Sequence, residues 1–159
     1  MVLFSIVSLF LLVLILYCCC CFILILKNNT VIKAFNDVDT LLKKRYAILL
    51  DIVNGIKSDS ELKEEIIKLR TEVILLGTKR ENIDRRIALD CELAKKTAEL
   101  LKDNSLIDIG EYSKINQDVV QSQKIYNAKA ENLKHAILVF PTSFAARLLR
   151  IKTLDLFRI

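Results

Sequence analysis

The chain has 159 residues, 53% of them apolar, and 24 Lys and Arg against 19 Asp and Glu for a net charge of +5; this length fits one modest domain beside a membrane segment and excludes a second. Only 3 Gly and 1 Pro in a chain rich in Leu, Ile, Lys, Glu and Ala exclude a turn-rich β architecture and favour long helices. The cations are interleaved with carboxylates instead of gathered on one face, which argues against nucleic acid and for solvated helix faces.

Met1 to Leu26 contains no charged residue, no Pro and no Gly. About 20 apolar helical residues span the ~30 Å hydrocarbon core of a bilayer, so this run predicts a transmembrane anchor with some room for tilt. It lacks the basic leader, short apolar core and small-residue cleavage site of a secretory signal, and reads as an uncleaved anchor. Lys27, Lys33, Lys43, Lys44 and Arg45 follow it, which by the positive-inside rule places the N-terminus outside and the remaining domain, residues 27–159, in the cytoplasm. Cys18 to Cys21 are consecutive, point in different directions around a helix and cannot form a metal cage; they read as small apolar residues. Leu16 and Tyr17 before them do not suit a lipoprotein signal, while S-acylation of any of the four stays open. Cys91 reads as buried filler.

From Asn28 to about Lys57, Val31, Phe35, Val38, Leu42, Arg45, Leu49, Ile52 and Ile56 recur alternately four and three apart, a heptad seam. Ala34, Leu41 and Ile48 widen the stripe beyond a two-stranded coiled coil, favouring a bundle. Asp39 and Lys43 form an i, i+4 pair expected on the outer face. Arg45 interrupts the seam and is expected to snorkel to water in preference to a buried pairing.

Ser58 with Glu61 fits a capping box opening a second helix. It carries Leu62, Ile66, Leu69, Val73 and Leu76, and after Gly77 a stripe of Ile83, Ile87, Cys91, Ala94, Ala98 and Leu101. Glu64 with Lys68, Glu81 with Arg85, and Glu92 with Lys96 suit an exposed face. One glycine costs about 1 kcal/mol in a helix, so a single long helix, kinked near Gly77, is expected; the alternative splits it there and returns Phe140 to the membrane side. Asp103 to Ser105 end this helix. A third carries Tyr112, Val119, Tyr126, Ala130, Leu133, Ile137 and Phe140, with Asn116 and Gln123 as polar members that fix register. Pro141 stops it, a short helical segment from Phe144 to Leu149 follows, and the basic, apolar ending reads as a strap on the bundle end, with membrane-surface contact as the alternative.

His135 is the only histidine and reads as a surface or boundary residue. No Glu-x-x-His pair, Gly-rich phosphate loop, Cys-x-x-Cys pair or nucleophile elbow is present, so neither an enzyme, a metal, a cofactor nor a small-molecule substrate is expected.

Two stretches carry a family resemblance. VDTLLKKRYAILLDIV, Val38 to Val53, resembles the hallmark that follows the anchor in the LemA family, and YNAKAENLKHAILVFPTSFAA, Tyr126 to Ala146, is similar to that family's closing motif. The matching positions are Asp39, Lys43, Lys44 and Arg45 in the first and Tyr126, Asn127, Phe140 and Pro141 in the second. Leu50 and Asp51 depart from the family's Pro-Asn, Gln123 from an Arg, and Leu133-Lys134 from a second Tyr-Asn. The resemblance implies a single-pass membrane protein with a helical-bundle domain and no established biochemical activity.

The expectation is an all-α protein: an anchor over 1–26, then an antiparallel up-down bundle of three long helices and a short C-terminal one. The expected role is a non-catalytic scaffold or adaptor at the membrane, whose partners are the bilayer and membrane or envelope proteins or further copies of itself. A lipid-remodelling protein using the C-terminal tail, and an envelope-facing component of inverted topology, are the alternatives.

Overall fold

A computed structural model describes residues 2–56, 61–103 and 109–158. The described residues are 87% helical and include no strand. Among the described residues five α-helices follow in order: α1 (Val2–Gly55), α2 (Glu61–Leu75), α3 (Ile83–Asp103), α4 (Gly110–Leu138) and α5 (Thr142–Leu148), with a short 3-10 turn at Arg80–Asn82 between α2 and α3. The all-α expectation is met. The Ser58 cap and the Asn104–Ser105 stop lie outside the described residues.

α1 is a single helix of 54 residues. No Pro or Gly interrupts it before Gly55, so nothing in its backbone chemistry forces a break. Its two halves serve different compact units, one made of 1–33 with 128–154 and the other of 34–127 with 155–159.

In the second unit, α1 from Ala34 onward, α2, α3 and the first part of α4 form an up-down four-helix bundle. Contact order along each pair gives the directions. Arg70 and Lys63 of α2 reach Tyr46 and Ile56 of α1, so α2 runs antiparallel to α1. Glu72 and Glu65 of α2 pair with Arg85 and Lys96 of α3, so these two are also antiparallel. The heptad seam is the core, with Phe35, Val38, Leu42, Leu49 and Ile56 buried, and Ile66, Val73, Leu93, Leu100, Tyr112 and Val119 come from the other helices.

Three expectations are corrected here. The second long helix is two helices: Gly77 adopts φ +66, a left-handed conformation that costs other residues roughly 1–2 kcal/mol, and the chain reverses there. The buried face of α3 runs through Ile83, Arg86, Ile87, Asp90, Leu93, Thr97 and Leu100, which leaves Cys91 and Ala94 half-buried and Ala98 exposed. Arg85 and Lys96 pair across to α2 at 2.6 and 2.7 Å instead of within their own helix.

The first unit joins the N-terminal part of α1 to the end of α4, α5 and the chain as far as Leu154. Leu24, Val31, Ala130, Leu133, Ala145 and Ala146 are buried. α1 is the one helix, among the described residues, that is long and apolar enough to cross a membrane, and only 6% of its most apolar window is buried. α4 ends at Leu138, before Pro141, as expected for a residue that disfavours helix in its predecessor, and the Phe140–Pro141 peptide is cis. Phe144 of α5 meets the Tyr17 ring edge-on, with centroids 6.1 Å apart. With α2 and α3 split at Gly77, Phe140 indeed returns to the apolar stretch of α1.

Candidate functional site

The bundle unit is organised around four charged residues at core positions. Arg45 of α1 donates through Nη2 to Asp90 of α3 and through Nη1 to Asn116 Oδ1 of α4 at 3.2 Å. The same Asp90 Oδ1 accepts the Tyr46 hydroxyl at 2.5 Å. Nearer the Gly77 turn, Asp39 of α1 accepts from Arg86 of α3 through one oxygen and from Lys43 through the other, the latter at 2.8 Å. Arg45, Asp90, Asp39 and Arg86 are all buried. The pair order, 39 with 86 and 45 with 90, shows α3 running parallel to α1.

These findings overturn two expectations. Arg45 does not snorkel to water but sits in a buried ion pair, and Asp39 is not on the outer face, although its pairing with Lys43 is present. A heptad stripe identifies the core face but not the side chain opposite, and Asp90 is distant in sequence. The one signal in the sequence was Arg45, which breaks the α1 stripe; Asp39, Arg86 and Asp90 fall beside the apolar stripes, so their opposite signs become informative only when α1 and α3 are set together.

Burial opposes charge on Arg45, yet the adjacent Asp90 outweighs it and the guanidinium is held more firmly protonated than usual. For Tyr46, burial first and then the Asp90 carboxylate push the phenol well above its ordinary value. Burial likewise raises Tyr112. Desolvation of such ions is costly, and is offset only where geometry and extra hydrogen bonds satisfy them. Here Tyr46 and Asn116 supply these bonds around the Arg45 pair. Arg86 donates through Nη1 to the Gly77 carbonyl at 3.0 Å, which ties the α2–α3 reversal to the bundle interior. Its guanidinium carbon lies 5.7 Å from the centre of the Phe35 ring, within cation–π range.

A second cluster clamps the C-terminal strap. The Tyr126 hydroxyl donates to the Asp155 carbonyl at 3.0 Å. Asn127 uses both ends of its amide on Phe157, donating to its carbonyl and accepting from its N–H, each at 2.9 Å, much as a neighbouring strand would. Phe157 is buried, with its ring 5.4 Å from Tyr126 and 6.4 Å from Phe35. Asp84 accepts the Asp155 N–H at 2.9 Å. Burial, then the Asp84 charge, raise the Tyr126 phenol. The strap expectation holds, and Tyr126, Asn127 and Asp84 are its polar fasteners.

Between these clusters a groove of about 840 Å³ opens, lined by Arg45, Asp84, Asp90, Cys91, Lys95, Asn116, Gln123 and Arg158 among others. Its charges are of both signs, and the Asp90 oxygen that contacts Arg45 also accepts Tyr46, so the arrangement is suited to holding elements in register more than to moving protons. Among the described residues, no three His, Cys, Asp or Glu side chains gather closely enough to hold a metal ion. His135 and Lys44 are exposed.

The eight motif positions therefore do not form one site. Asp39, Lys43 and Arg45 belong to the charged core, Tyr126 and Asn127 to the strap clamp, and Phe140 and Pro141 to the other compact unit. Asp90, Arg86, Tyr46 and Phe157 complete these clusters and were not singled out from the sequence as site residues. No family model matches the chain, nor does any curated protein or solved structure.

Proposed function

We propose that this chain is a membrane-tethered helical bundle of LemA-like type, acting without catalysis as a scaffold or adaptor for other membrane or envelope proteins or for further copies of itself. The observation that carries this reading is the division of α1. One unbroken helix has an N-terminal stretch that is apolar and exposed, from Phe4 to Leu16, and a C-terminal part that supplies the bundle seam. An exposed run of that length is unfavourable in water and favourable in lipid. Confinement to a membrane raises a bundle's effective concentration toward partners on the same surface.

The use of the charged core supports a structural role. Its carboxylates hold α1 and α3 in one register, as buried polar groups do in other bundles. Ile74 and Leu75 are exposed at the end of α2, an apolar spot suited to a partner. By the positive-inside rule the bundle faces the cytoplasm.

Cross-linking of the full chain in native membranes, followed by identification of what is joined to it, tests the scaffold reading. A specific protein partner or a defined homo-oligomer is expected, and recovery of neither sinks it. Sidedness is read separately from Glu99→Cys in a Cys91→Ser background. Labelling of that thiol by an impermeant reagent in intact cells would reverse the topology.

A further inference from the structure

The segment after α4 presents large apolar side chains to its surroundings: Phe140, Phe144 and Leu148 are 83, 65 and 66% exposed. They do not stand apart from the apolar stretch of α1. Phe140, Pro141 and Phe144 face Phe10, Leu14 and Tyr17 across an apolar cleft of about 460 Å³, so the exposed surface of α1 continues onto this turn. Tyr17 lies about ten residues, roughly 15 Å of helix, before Lys27, the first charged side chain. The Phe144 ring that touches it is therefore well inside the level at which charge begins.

Backbone in lipid must satisfy its own polar groups, and several groups at the turns of this hairpin are paired within it. The Thr142 hydroxyl lies 2.5 Å from the Ala136 carbonyl and 2.8 Å from that of Val139, at the open end of α4. The amides of Ser143, Leu149 and Ile151 donate to the carbonyls of Val139, Ala145 and Ala146 at 2.8, 2.9 and 3.0 Å. Charge on the segment is of one sign: from Asn132 to Leu154 there is no Asp or Glu, while Lys134, Arg147, Arg150 and Lys152 are present. Long cationic side chains bury their stems in apolar surroundings and carry their heads to the lipid phosphates.

We propose that the hairpin from Leu138 to Leu148 enters the leaflet that α1 enters from its Lys27 side, as a re-entrant wedge, and that lipid acyl chains occupy the cleft between it and Phe10–Cys20. The proposal rests on the reading of α1 as membrane-spanning. It gives the chain a second point of insertion in the same leaflet.

The chain has 0 Trp, so single-Trp variants report depth directly. Phe10→Trp, Phe144→Trp and Leu148→Trp forms of the full chain are reconstituted in bilayers of phosphatidylcholine and phosphatidylglycerol, and their emission is compared with acyl-chain bromine and with aqueous iodide as quenchers. All three are expected to lose emission to the brominated chains and to be spared by iodide. Leu148→Trp keeps the test open should Phe144→Trp not fold. If Phe10→Trp behaves this way while the two hairpin probes are quenched by iodide, the wedge is overturned and the anchor stands. If Phe10→Trp is itself quenched by iodide, the anchor reading fails and takes the wedge with it. Hairpin probes that neither quencher reaches would show a protein covering the surface, which also overturns the proposal.

Discussion

Asp90 is the residue on which the bundle interior turns, because one carboxylate oxygen serves both the Arg45 guanidinium and the Tyr46 hydroxyl. Removing it leaves a buried cation unpaired and a buried phenol unsatisfied. Asp90→Ala is therefore expected to cost about 3–5 kcal/mol of unfolding free energy, measured by denaturant titration of the full chain in detergent micelles. Replacing both partners, Arg45→Met with Asp90→Leu, removes the two desolvation costs together and should cost markedly less than the sum of the single changes. An additive result would show that the pair is not coupled. Tyrosine ionisation gives a second measurement. Tyr46, Tyr112 and Tyr126 are all raised above the ordinary phenol value, chiefly by burial. Above about pH 10 the unfolded phenols lose protons that the folded ones keep. Their stabilising contribution is thus complete below that pH and declines as pH climbs toward the folded values. Tyrosinate absorbance from these residues should appear together with unfolding, and its appearance in fully folded protein at pH 10 would contradict their burial. None of this was legible in Arg45 alone, since the cost of burying a guanidinium makes solvent the default until the facing carboxylate is known.

Helix boundaries and helix rotation are set by different information. Gly77 is a boundary because its backbone is left-handed, and a Cβ built there would meet nothing within 4 Å, so strain alone decides the effect of substitution. Gly77→Ala should destabilise by roughly 1–2 kcal/mol. Gly55, which also has open space around it but sits in the last turn of α1, should respond in the opposite sense, with Gly55→Ala neutral or stabilising by up to about 1 kcal/mol. Thermal unfolding of both variants in the same detergent checks the contrast, and equal effects would remove the distinction. The α1 stripe was legible because large residues recur on it at heptad spacing. The α3 stripe was misplaced because Arg86, Asp90 and Thr97 occupy its buried face while small apolar residues lie beside it. Counting hydrophobicity then favours Cys91, Ala94 and Ala98 over the true core positions, and a change of one residue rotates a helical stripe by about 100°.

At the scale of the molecule, α1 connects a stretch suited to lipid with a bundle held by charged pairs. If the N-terminal part spans a bilayer, a charge near its middle costs about 2.5–3.5 kcal/mol on an insertion scale. Leu12→Arg combined with Ile15→Arg is accordingly expected to shift the full chain from the carbonate-resistant membrane fraction into the soluble one. Retention of the double variant in the membrane pellet would argue that insertion does not depend on this segment. The same experiment leaves the bundle chemistry untouched, because the altered residues and the charged core belong to different compact units.

The helical class, the long uncharged run at the N-terminus and the heptad seam that follows it could be determined from the sequence by itself. Each depends on local composition or on a period within a single helix, and such features do not require knowledge of what lies opposite. Only the tertiary structure decided that Gly77 divides two helices, that Arg45 faces Asp90 and Asp39 faces Arg86, and that Asn127 holds the strap through Phe157. Those facts depend on pairs of residues far apart in the chain, where a polar side chain is acceptable in a core only because its complement has been brought to it.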